Sequence, residues 1–145
     1  MKRIASSSKL LTTSSFLLSV PGIYSYMYYG LYYPPIILLT TSLISANYWR
    51  NALDDWRRHL DIYFARVSFS YFVGSTFYYV PPKINMSIGL PNLACILYCY
   101  YQSHKEYERG RYRWRYWHFG FHTIMTWQLF LTMNYMGKNY LKLKN

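Results

Sequence analysis

Residues 116–136 have the sequence YWHFGFHTIMTWQLFLTMNYM, which contains no lysine, arginine or carboxylate, and they follow directly on the basic run RGRYRWR at 109–115. About 20 apolar residues are enough for a helix to cross the hydrocarbon core of a bilayer. Arginines beside such a segment mark its cytoplasmic end. The stretch therefore predicts a transmembrane helix that starts at the cytoplasmic face, with His118 and His122 one turn apart near its start.

Charge is bunched along the rest of the chain in the same way. Hydrophobic residues make up 52% of the chain and charged residues 14%, against roughly 25% charged in an average soluble domain. Further apolar stretches lie at residues 10–33, 34–49, 62–80 and 86–102. The mean hydropathy of -0.10 is lowered by 19 tyrosines, a residue type enriched at membrane interfaces. We therefore predict an all-α polytopic transmembrane helix bundle of about five spans, with residues 1–145 forming one integral membrane domain.

Lysine and arginine are distributed unevenly between alternate connections. Of the 16, 11 lie before the first segment, at 50–60 and at 103–115, whereas 4 lie in the alternate connections and the tail. Cytoplasmic loops carry the excess of these residues, so the amino terminus is predicted to be cytoplasmic and the carboxyl terminus outside. An apolar run after a basic start is also typical of a cleaved signal peptide. That alternative stays open for the first segment, although polar residues at 12–15 interrupt its run.

This topology places four chemically complementary groups at one membrane face. With a rise of 1.5 Å per residue, Ser45 lies roughly 6 Å inside its segment, and His118 and His122 lie roughly 3 and 9 Å inside theirs. Asp61 lies at the rim, just before residues 62–80. Histidines at i and i+4 can hold Zn²⁺ together, and a nearby carboxylate can orient or activate water. We predict His118 and His122 as zinc ligands, Asp61 as a base that orients water or as a group that supports a ligand, and Ser45 as a donor to the water or a developing oxyanion.

A serine in the second span, an aspartate at the start of the third and His-x-x-x-His in the last resemble the membrane hydrolase superfamily of alkaline ceramidases and the progestin and adipoQ receptors. Here those positions are Ser45, Asp61, His118 and His122. The resemblance implies a helical membrane protein with a zinc ion near one membrane face and, in the ceramidase branch, hydrolysis of lipid amides.

Two features depart from that superfamily. Its third metal-binding histidine lies one turn after the serine, where this chain has Trp49, and its members have seven spans. His59 and His104, both on the predicted cytoplasmic side, are the remaining candidates for a third ligand. The sequence SANYW at 45–49 and WRRHLD at 56–61 also resemble small uncharacterised multi-span proteins of large DNA viruses and protists, which carry no assigned activity.

Each site residue also has an ordinary structural interpretation. Asp61 at a helix start is a good N-cap and complements the helix dipole. His118 and His122 are compatible with polar groups in an aromatic interface. Ser45 is of the size that packs well between transmembrane helices. The functional hypothesis rests on the four residues occurring together.

Three arginines near the predicted cytoplasmic face, Arg57, Arg58 and Arg66, are predicted lipid-headgroup contacts, and Arg66 is expected to extend its long side chain toward the membrane surface. The mixture of cations and aromatics at 109–117 is also typical of single-strand nucleic-acid binding. The basic residues follow membrane topology rather than one continuous surface, so we predict membrane lipids as partners and no nucleic acid.

Two functional classes remain open. One is a metal-dependent hydrolase of a lipid amide or ester that works in the cytoplasmic leaflet. The other is a small non-catalytic multi-span protein that scaffolds or organises lipid or a membrane complex. The predicted location is an integral membrane position, in the endoplasmic reticulum, the plasma membrane or a viral envelope.

Overall fold

The computed structural model describes residues 9–52 and 55–144, and in that part of the chain all regular secondary structure is helical. The helices are α1 (Lys9–Leu17), α2 (Val20–Tyr29), α3 (Tyr33–Arg50), α4 (Trp56–Tyr79), α5 (Pro82–Ile84), a π-helical turn (Asn85–Gly89), α6 (Leu90–Glu108) and α7 (Trp114–Lys144). The prediction of an all-α chain is confirmed. Lys2 and Arg3, which contribute to the predicted topology, lie outside the described residues.

The helices follow the five predicted apolar stretches. The first stretch is divided into α1 and α2 by a break just before Pro21, because proline lacks the backbone N–H needed to continue a helix and fits its first turn. The α2 helix ends at Gly30, whose φ of 67° is left-handed, a conformation that glycine adopts without steric penalty. None of the described helices is both long enough and apolar enough to cross a membrane.

The long helix α7 lies at the centre of the bundle. It contacts α1, α2, α4 and α6, while α3 contacts α1, α2 and α4. One apolar cluster surrounds the middle and the carboxyl-terminal half of α7, and contains Leu18, Leu31, Leu38, Phe72, Leu129, Met133 and Met136. A second cluster surrounds its start, and contains Leu11, Tyr48, Trp49, Ala52 and Trp114. The first apolar stretch is therefore part of the core at both ends.

Polar bridges join the neighbouring helices inside this apolar packing. They connect α1 to α3, α3 to α4, α4 to α7 and α6 to α7. The bonds are Ser42 Oγ to the Ser15 carbonyl at 2.8 Å, Thr41 to Ser68 at 2.5 Å, Thr76 to Thr132 at 2.7 Å and Asn92 to Gln128 at 2.9 Å. A buried hydroxyl or amide is costly without a partner, so these bridges fix the rotation of each helix about its axis.

The N-cap of α4 is Asp55, not Asp61. Its carboxylate accepts the backbone N–H of Arg57 at 3.0 Å and pairs with the Arg57 guanidinium at 2.7 Å. The helix already begins at Trp56, so Asp61 lies in its second turn, where the backbone N–H groups have partners within the helix. The interpretation of Asp61 as an N-cap is therefore wrong, and its carboxylate is available for another role.

Candidate functional site

A cavity of about 540 Å³ runs between α4 and α6. Helix α4 packs on α3 and α7, and α6 packs on α7, so the cavity separates the two helices. Its walls are mostly apolar, with residues such as Phe69, Phe72, Leu93 and Ile96. Along α7 it extends from Trp114 to Thr132, which corresponds to roughly 27 Å of helix. The cavity has the length and polarity of a site for an amphiphilic chain.

All four predicted site residues line this cavity. Ser45 comes from α3, Asp61 from α4, and His118 and His122 from the first turns of α7. The two imidazole ring centroids are 4.8 Å apart, as expected for i and i+4 on one helix face. His122 is 3% exposed, so its imidazole belongs to the interior.

The carboxylate and the serine both line the cavity, and Ser15 Oγ lies 3.1 Å from Ser45 Oγ. Asp61 precedes the apolar stretch 62–80, and burial raises its pKa to about 6, opposed by the Ser45 hydroxyl, which favours the ionised carboxylate. A carboxyl group with its pKa close to neutral is well suited to take up and release a proton.

Serines from two other helices contact the histidines, and sequence reasoning missed both. Ser14 Oγ in α1 lies 2.8 Å from His122 Nδ1, and Ser103 Oγ in α6 lies 3.4 Å from His118 Nδ1. Ser14 is part of the polar run at 12–15, which was interpreted only as an interruption of an apolar segment. That run was the available signal, because hydroxyls inside an apolar helix need partners.

Trp49 stands where the superfamily that this sequence resembles has its third metal-binding histidine. Trp49 is 8% exposed, and its ring centroid lies 5.0 Å from that of His118 in an edge-on contact. Its Nε1–H has no hydrogen-bond partner among the described residues. The side chain that replaces the expected histidine therefore contacts the site itself.

Neither alternative histidine completes a metal site. His59 is exposed and does not line the cavity. His104 lines it, but is also exposed and lies 3.1 Å from Glu108. Within residues 9–52 and 55–144, no three His, Cys, Asp or Glu side chains are grouped to hold a metal ion. The imidazoles of His118 and His122 fit two ligands of a zinc site, whereas protein zinc sites usually have three or four.

The three predicted headgroup arginines occupy different places. Arg58 and Arg66 line the cavity, on the α4 side near Asp61. Arg57 does not line it and pairs with Asp55. Among the described residues that line the cavity, Arg58 and Arg66 are the only arginines or lysines.

Comparisons of the chain with protein-family models, curated proteins and solved structures found no match. Its function is therefore inferred from its own residues.

Proposed function

We propose that this protein is an integral membrane protein that binds a lipid-like amphiphile in the cavity and hydrolyses its amide or ester bond at the polar end. One observation carries the proposal. A long apolar cavity has Ser45, Asp61, His118 and His122 in its lining, and a largely apolar pocket with a few convergent polar groups is the usual form of a small-molecule site. The same four residues support a place in the ceramidase-like superfamily.

The outer surface of the bundle supports a membrane location. Large apolar side chains are exposed on several helices, including Ile36 at 61%, Leu43 at 59% and Trp127 at 68%. Exposed apolar area on this scale is typical of a protein that faces lipid or a partner. The hydroxyl bridges between helices are also typical of membrane bundles, and the uneven distribution of lysine and arginine favours a cytoplasmic amino terminus.

The residues of the cavity have complementary roles in the proposed hydrolysis. The acyl chain occupies the apolar cavity, and the scissile carbonyl lies beside the histidines. Asp61 takes a proton from the attacking water, whose oxygen bonds to the carbonyl carbon as the C–N or C–O bond breaks. Asp61 then returns that proton to the leaving amine or alcohol. Ser45, which lines the same part of the cavity, orients Asp61 with its hydroxyl.

His118 and His122 would hold a zinc ion. When bound, zinc polarises a carbonyl and lowers the pKa of water. The chain's own contribution is to place two imidazoles in the cavity lining and to pack the buried rings of Trp49 and Trp114 against His118, which limits the access of bulk water.

A second candidate is lipid binding without hydrolysis. The buried indole of Trp49 occupies the position where the superfamily has its third histidine, and a site with two protein ligands binds zinc less firmly than one with three. This candidate predicts the same amphiphile in the cavity, but neither zinc nor turnover.

Metal content and lipid hydrolysis of purified protein test the proposal. The protein would be extracted from alkali-washed membranes into detergent without chelator, and the wild type compared with the double variant His118→Ala/His122→Ala. His59→Ala is the matched control, because His59 is exposed and does not line the cavity. We expect near-stoichiometric zinc and hydrolysis of long-chain amides or esters in the wild type and the control, and loss of both in the double variant. Co-purified lipid without zinc or hydrolysis in any protein would favour the second candidate.

A further inference from the structure

The two histidines of the site share the same hydrogen-bond arrangement, although their partners come from different helices. His122 Nδ1 lies 2.8 Å from Ser14 Oγ, and Ser14 Oγ also lies 3.1 Å from the Leu11 carbonyl oxygen. His118 Nδ1 lies 3.4 Å from Ser103 Oγ, which lies 3.2 Å from the Trp114 carbonyl oxygen. Each imidazole thus contacts a serine hydroxyl, and each hydroxyl contacts a backbone carbonyl.

The chemistry of these groups restricts where the protons lie. A hydroxyl has a single proton, and a carbonyl oxygen can only accept. When each serine donates to its carbonyl, its oxygen accepts from the imidazole, so the imidazole carries its proton on Nδ1. This is the assignment in which both contacts of each serine are hydrogen bonds at once.

We propose that Ser14 and Ser103 are positioning residues that hold His122 and His118 in the tautomer with a proton on Nδ1 and a free lone pair on Nε2. This inference rests on the proposed function, because its purpose is to present two Nε2 atoms to one zinc ion. Metal-binding histidines almost always donate their second ring nitrogen to a fixed partner, and loss of that partner weakens metal binding by about 10–100-fold.

The arrangement also explains why α1 belongs to the site. Ser14 is 1% exposed, and its helix packs against α3 and α7. Ser15, its neighbour, lies 3.1 Å from Ser45. Ser14 therefore contacts a predicted metal ligand, and Ser15 contacts Ser45. The site has these contacts only when α1 is docked on the bundle.

The tautomers can be measured directly on protein with selectively ¹⁵N-labelled histidine in micelles without metal, because protonated and bare ring nitrogens have well-separated ¹⁵N shifts. We expect Nδ1–H for His118 and His122 at pH 8, with His59 and His104 as exposed references and signals assigned by single histidine variants. Nε2–H at His122 in the folded wild type would overturn the inference. It would leave the proposed function standing, since zinc content and hydrolysis are measured separately.

Zinc titration of serine variants supplies the second measurement. Ser14→Ala is expected to weaken zinc binding by about 10–100-fold, and Ser103→Ala by less, because its contact is longer. Ser14→Thr keeps a hydroxyl and is expected to restore binding. Ser25→Ala is the matched control, since Ser25 is also fully buried and bonds the carbonyl three residues earlier, at 2.8 Å from Gly22.

The outcomes separate the two proposals. Equal zinc affinity in Ser14→Ala, Ser25→Ala and wild type would overturn the positioning role of Ser14. No zinc binding by a wild type that shows the Nδ1–H tautomers would refute the metal-dependent hydrolase and retain the tautomer assignment. If Ser14→Ala fails to fold, the wild-type tautomers and the Ser103→Ala titration still decide.

Discussion

Replacement of Asp61 by asparagine is expected to stabilise the protein above pH 6 while abolishing hydrolysis. Burial raises the pKa of the Asp61 carboxyl from 3.8 to about 6, so the folded state disfavours its charged form. Each tenfold change in the ionisation constant corresponds to about 1.4 kcal/mol. The ionised carboxylate therefore lowers the free energy of unfolding by up to about 3 kcal/mol at neutral pH, and asparagine, which has nearly the same shape and no charge, removes this penalty.

The sign of the pH dependence follows from the raised pKa. At about pH 3 and below, the carboxyl is protonated in both folded and unfolded chains, so wild type and Asp61→Asn should have similar stability. As the pH rises from about 3 through 6, the unfolded chain ionises first and the wild type loses stability. Above pH 6 the difference in unfolding free energy between the two proteins stays constant, because the other groups titrate equally in both.

Thermal unfolding in one detergent at pH 3 and pH 7.5 measures this difference. About 3 kcal/mol corresponds to a midpoint shift of roughly 10 °C for a chain of this size, in favour of Asp61→Asn at pH 7.5 alone. Asp55→Asn is the matched control, because the Arg57 side chain lowers the pKa of Asp55 through a hydrogen bond and an ion pair. The Asp55→Asn substitution should destabilise the protein at pH 7.5. A lower midpoint for Asp61→Asn than for wild type at pH 7.5 would refute the reasoning and indicate a structural role for the carboxylate.

Three further predictions concern packing and metal binding. A Cβ at Gly137 would overlap the Tyr29 ring, whereas a Cβ at Gly74 would have no atom within 4 Å. Chemical unfolding should therefore show that Gly137→Ala lowers the free energy of unfolding by about 1–3 kcal/mol. Gly74→Ala should raise it by up to about 1 kcal/mol. Trp49→His places an imidazole beside His118 and should lower the zinc Kd more than tenfold in competition titrations, and an unchanged Kd would argue against a third-ligand position there. Zinc at 100 times its Kd should raise the unfolding free energy by about 2.7 kcal/mol, reversed by chelator, and a midpoint insensitive to zinc would contradict a native-state site.

The helices could be predicted from the sequence because their signals are local. Charged clusters at 50–60 and 103–115 separate apolar runs, and prolines mark the start of α2, α3 and α6. The different roles of Asp55 and Asp61 could not be predicted in the same way. Both are carboxylates before an apolar run, and which of them caps α4 depends on where helical hydrogen bonding begins.

The partners of the site residues depended on contacts that no local pattern encodes. His118 and His122 were predicted as a pair because a helix repeats every 3.6 residues. The Ser14–His122 contact joins residues separated by 108 positions, and it exists only because α1 docks on α7 with one particular rotation. The same is true of Trp49, whose ring contacts His118 in the folded chain.

The sequence by itself determined the helical class, the approximate helix bounds and the four polar residues at one end of the bundle, because these follow from hydrophobic periodicity, charge spacing and chain geometry. Only the tertiary structure decided that a cavity separates α4 from α6, that Ser15 contacts Ser45, and that Ser14 and Ser103 contact the histidines. Those features depend on helix rotation and side-chain packing, which are set by the whole bundle together rather than by any one of its helices.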